Sequence, residues 1–92
     1  MQIKSNYLIK TIGENIVVVP LKEEAIRFNG IITLNKTGQF LFQTLQKENL
    51  SKEQLLTIVL NKYNIEKNQA MRDIDDFIEK CLENKLIDEN NF

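Results

Sequence analysis

The chain has 92 residues, 42% of them hydrophobic, with a single proline and no low-complexity tract, so one folded domain is expected over residues 1–92. Twelve basic against thirteen acidic residues leave a net charge of −1, which offers no overall field to phosphate backbones or anionic lipid. Histidine is absent and Cys81 is the single cysteine, which removes the usual transition-metal sites; no segment is apolar for long enough to span a bilayer, and a reducing cytosol is the expected compartment.

Tyr7 to Ile12 alternates and is rich in β-branched residues, and Gly13-Glu14-Asn15 supplies a turn. Ile16 to Val19 is an apolar run that stops at Pro20, where a ladder would lose a donor. The two runs predict a hairpin. After a charged connection, Lys22 to Glu24, the segment Ala25 to Phe28 is joined to Ile31 to Leu34 by Asn29-Gly30, the dipeptide best suited to a type I′ turn. A meander of these strands leaves Ile31 to Leu34 at an edge with one side unpaired.

Asn35 suits the N-cap of a first helix, from Lys36 to about Lys47, with its side-chain oxygen taking the N–H of Gly38. Gly38, Leu41, Phe42 and Leu45 share one face of that helix, while Phe40 projects from the opposite one. A glycine in the first turn suggests that another backbone passes close by. Ser51 and Gln54 form a capping-box start for a second helix, buried along Leu55, Leu56, Val59 and Tyr63 and ended by Asn64. A third helix starts near Glu66 or Lys67 and runs to about Lys85 with Ala70, Ile74, Phe77, Ile78 and Cys81 on one face, after which Leu86-Ile87 folds back. The fold class is therefore α+β and winged helix-turn-helix-like: an N-terminal antiparallel sheet of three or four strands followed by three helices.

Little in this pattern carries catalysis. Asp73, Asp75 and Asp76 are the densest carboxylates, but helical spacing turns Asp75 away from the other two and no calcium-loop motif surrounds them. The three glycines fall at turns or a helix start and build no phosphate cradle. A winged-helix DNA-binding regulator would need a basic third helix. Here Glu66, Asp73, Asp75, Asp76, Glu79 and Glu83 outnumber Lys67, Arg72, Lys80 and Lys85, which makes nucleic acid a poor partner. An unpaired edge strand also admits a self-pairing structural subunit, a homodimer.

Leu34-Asn35-Lys36-Thr37-Gly38, then Phe40, Leu41 and Leu45, then Ser51-x-Glu53-x-Leu55 and Tyr63, then Ala70-x-x-Asp73-Ile74-x-x-Phe77-Ile78-x-x-Cys81-Leu82 and Leu86-Ile87 follow one another in an order that resembles the PqqD-like family. Its members are also called RiPP recognition elements, after the ribosomally made, post-translationally modified peptides they serve. The chain departs from the family at Lys36, where an acidic residue is frequent, and at Lys85, where a glycine often precedes the closing Leu-Ile.

The resemblance implies a non-catalytic module without a cofactor. It would bind the leader segment of a precursor peptide and present the core segment to a separate modifying enzyme, often a radical S-adenosylmethionine enzyme. An extended peptide can add to the edge formed by Ile31, Ile32, Thr33 and Leu34, with its side chains entering a groove walled by Asp73, Ile74, Phe77 and Ile78 of the third helix. Asp73 is the residue expected to meet a basic leader side chain. Four or five backbone hydrogen bonds are expected along that edge, worth a net ~2 to 7 kcal/mol.

Overall fold

Both expected strands of the first hairpin form. The computed structural model describes residues 1–21 and 32–87, with β1 at Tyr7–Ile12 and β2 at Asn15–Pro20. They pair antiparallel, Tyr7 opposite Pro20 and Ile12 opposite Asn15, around a two-residue turn of Gly13 and Glu14. Gly13 carries φ 63, a left-handed value that glycine adopts without Cβ strain. Pro20 closes β2 at its last position, where a missing donor interrupts no interior pair.

The third strand, β3 at Ile32–Leu34, pairs antiparallel with β2: Ile32 lies opposite Val18 and Leu34 opposite Ile16. The sheet order is β1-β2-β3, so among the described residues β3 is an edge strand. The segment Ala25 to Phe28, the Asn29-Gly30 turn and Ile31 lie outside the described residues, and with them the expected fourth strand.

Three helices follow, α1 at Lys36–Lys47, α2 at Lys52–Lys62 and α3 at Lys67–Glu83. Asn35 caps α1 as its sequence predicts, its Oδ1 accepting the Gly38 N–H at 2.7 Å. Among the described residues, the atoms nearest a Cβ at Gly38 belong to side chains. A Cβ there would stand 3.3 Å from Asn35 Oδ1 and 3.4 Å from Leu34 Cβ, so the cap side chain and the end of β3 take up the space. Phe40, on the far face of α1, is partly covered by α2; its ring meets Tyr63 edge-on at 5.8 Å, and the Lys62 ammonium lies 4.7 Å from the ring centre.

In the Ser51 and Gln54 capping box, the Gln54 side chain accepts from the Ser51 N–H at 2.8 Å and the Ser51 hydroxyl accepts from the Gln54 N–H at 3.1 Å. Helix α3 stops two residues before Lys85 and closes with two bonds typical of a Schellman motif: Leu86 N–H to Cys81 O at 2.8 Å and Lys85 N–H to Leu82 O at 3.2 Å. That motif needs a left-handed residue, and Lys85 supplies it with φ 58.

The core gathers Val18, Ile32 and Leu34 from the sheet, Leu41, Phe42 and Leu45 from α1, Leu55 and Val59 from α2, and the Ala70–Cys81 stripe of α3. Leu86 and Ile87 fold into it, as expected. The residues before β1 join as well, which hydropathy pattern did not indicate. Met1 and Ile3 are buried, and the segment is held by Ile3 N–H to Leu45 O, Lys4 N–H to Leu86 O and Leu50 N–H to Met1 O, each at 2.9 Å.

Candidate functional site

Strand alternation splits β3 into two faces. Ile32 and Leu34 point into the core, whereas Thr33 is exposed. Across from the strand, Lys80 of α3 donates from Nζ to the Thr33 carbonyl at 3.2 Å, so strand and helix are bridged by one long side chain. At Leu34 the chain turns into α1, and the Asn35 cap holds the corner in place.

A pocket of about 110 Å³ opens between that corner and α3. Leu34, Asn35, Thr37 and Gly38 form one wall; Asp73, Asp76, Phe77 and Lys80 form the other. The lining is mixed: Leu34, Gly38 and Phe77 are apolar, and the α3 side adds two carboxylates and one ammonium. Asp73 accepts from Gln69 Nε2 at 2.8 Å. Asp75 faces away and pairs with Lys52, as the helical spacing of the three aspartates predicts.

Of the residues the sequence assigned to a peptide groove, the pocket brings together Leu34, Asp73 and Phe77. Thr33 lies on the strand edge beside α3 through its bond to Lys80. Ile32, Ile74 and Ile78 are buried members of the core, Ile74 without any exposed surface, and Ile31 lies outside the described residues. Asn35, Thr37, Gly38, Asp76 and Lys80 line the pocket without having been expected there. The signal for two of them was present: Asp73, Asp76, Phe77 and Lys80 follow at intervals of three, one and three, a single stripe beside the apolar one.

Such a site can accept an extended backbone and enclose a side chain. Cys81 is buried just beside it, and burial pushes its thiol up to about 12, against a smaller opposing effect of the Lys80 charge. That removes its nucleophilicity near neutral pH. Among the described residues no group of three or more His, Cys, Asp or Glu side chains is placed to hold a metal ion, and no helix is long and apolar enough to cross a membrane.

Comparison with known proteins adds two findings. Residues 15–87 match the family model described as coenzyme PQQ synthesis protein D (PqqD). Among solved structures, the chain is similar to TbiB1 in complex with the TbiA(beta) leader peptide, with a TM-score of 0.70 and 17% identity over 97% of this chain and 96% of that one. No individually curated protein matches.

Proposed function

Since the chain belongs to the PqqD family, we propose that it is a non-catalytic recognition module that takes the leader segment of a ribosomally made precursor peptide onto the edge of β3. The observation that carries this reading is the β3 edge running beside a pocket on α3. The likeness in fold to TbiB1, which was solved with a leader peptide, supports it. The leader pairs with the strand backbone, one of its side chains enters the pocket between Leu34 and Phe77, and the core segment is left free for a separate modifying enzyme. That enzyme is of the radical S-adenosylmethionine class in this proposal, and the setting is the cytosol, in keeping with the free thiol of Cys81.

Among the described residues of β3, Thr33 turns both backbone groups outward, and each bond a leader makes along the edge is worth a net ~0.5 to 1.5 kcal/mol. Micromolar affinity needs about 8 kcal/mol. Backbone bonds alone fall short of that, so one or two leader side chains must be buried as well, at ~1.5 to 3 kcal/mol each. The DNA-binding alternative is not favoured: α3 carries Asp73, Asp75, Asp76, Glu79 and Glu83 against Lys67, Arg72 and Lys80.

Titration with a labelled leader from the precursor encoded beside this gene tests the proposal. Saturation in the micromolar range or below is expected, and no binding by any candidate leader overturns it. Thr33→Pro removes an outward N–H from an edge strand, so it should weaken binding about tenfold while the thermal unfolding midpoint stays near that of the parent.

A further inference from the structure

In an antiparallel ladder, residue pairs alternate between those that exchange hydrogen bonds across the strands and those whose N–H and C=O turn outward. Thr33, opposite Val17, sits between the Ile32 and Leu34 pairs, and its carbonyl is reached from α3 by Lys80 Nζ at 3.2 Å. The acceptor that an added strand would use is thus already occupied by a lysine of the same chain. We propose that Lys80 is a latch on the β3 edge: its ammonium takes the Thr33 carbonyl in the free protein, and an incoming strand must displace it with an N–H of its own. The inference rests on the reading of β3 as the peptide-receiving edge.

Three features support a latch over an incidental contact. The bond joins residues 47 apart in sequence and is made by a side chain of the very helix that walls the pocket. Asp76 lies one turn before Lys80 and has no ion-pair partner among the described residues, so the displaced ammonium has a carboxylate to move to. A lysine set against an edge that is unpaired among the described residues is also a known device against self-pairing, which here would suppress dimers without blocking a leader that brings side chains for the pocket. The latch adds a rule of specificity: the leader residue that meets the Thr33 carbonyl cannot be proline, because it must supply the N–H that replaces the ammonium.

The test compares Lys80→Met, which keeps the aliphatic stem, with Lys80→Arg, which keeps a charged donor. The Thr33 carbonyl carbon is labelled and its NMR shift read in the free, full-length protein. The methionine variant should move that resonance upfield and the arginine variant should hold it close to the parent position. In the leader titration the methionine variant should bind about two- to tenfold more tightly, since a competing bond is gone. An unchanged Thr33 resonance in Lys80→Met overturns the latch. A shifted resonance with weaker leader binding also overturns it, because Lys80 is then a peptide contact and not a competitor. Where no leader binds any form, the functional proposal fails by itself, and the carbonyl resonance still decides whether the latch exists.

Discussion

Among the described residues, Lys85 is the non-glycine residue with a left-handed backbone. It holds φ 58 at the end of α3, a value that costs a non-glycine residue ~1 to 2 kcal/mol, and it stands where the family resemblance has a glycine. The two bonds that close α3 and the burial of Leu86 and Ile87 depend on that turn, so the strain is tolerated because the core holds the turn closed. Lys85→Gly should stabilise the protein by about 0.5 to 1 kcal/mol, the strain relief less the extra freedom glycine gains on unfolding, and urea midpoints measure it. Lys85→Ala keeps the Cβ and should give no such gain. The positive φ was not readable from composition or periodicity. The only hint was the missing glycine itself, since nothing in the helical pattern of α3 tells a lysine that continues a helix from one that ends it.

Among the elements, the passage from β3 into α1 decides the shape of the site. Asn35 caps the helix, Leu34 packs against Gly38, and both line the pocket, so one short stretch serves as strand end, cap and wall. Asn35→Ala removes the acceptor of the Gly38 N–H and should cost about 1 kcal/mol in a chemical denaturation, with the Gly38 amide exchanging faster than amides deeper in α1. Lys36 at the helix start, with no acidic residue in the first turn, adds nothing favourable to the dipole there, which leaves the cap as the main support of this end. All three helices and both strands of the first hairpin could be read closely from caps, turn residues and apolar spacing. The pairing of β3 with β2 could not, because periodicity identifies a strand but not its neighbour.

At the scale of the whole molecule, Cys81 reports on the integrity of the core. With the thiol buried and pushed up to about 12, a thiol reagent at pH 8 should modify Cys81 only through global unfolding, so the reaction rate should follow the unfolding equilibrium as urea is added. The sign of the pH effect follows from the same shift. Below pH 9 the thiol is neutral in both states and its burial costs nothing; above it the unfolded thiol ionises while the folded one does not. Stability should therefore fall by up to about 1.4 kcal/mol per pH unit between 9.0 and about 12, and Cys81→Ala should lose that part of the slope. The same closed core takes in Met1 and Ile3, and the backbone bonds of Met1, Ile3 and Lys4 to Leu50, Leu45 and Leu86 join segments far apart in sequence. Two alternating apolar residues ahead of β1 are too few to establish a period, so their burial was not legible. The sequence by itself determined the element order, the helix caps, the buried face of each helix and the family resemblance, because each is set by residues within a few positions of one another. Only the tertiary structure decided that Leu34, Asp73 and Phe77 share one pocket, that Ile74 and Ile78 are core, and that Lys80 reaches Thr33, because those relations depend on how β3 and α3 pack across some forty residues of intervening chain.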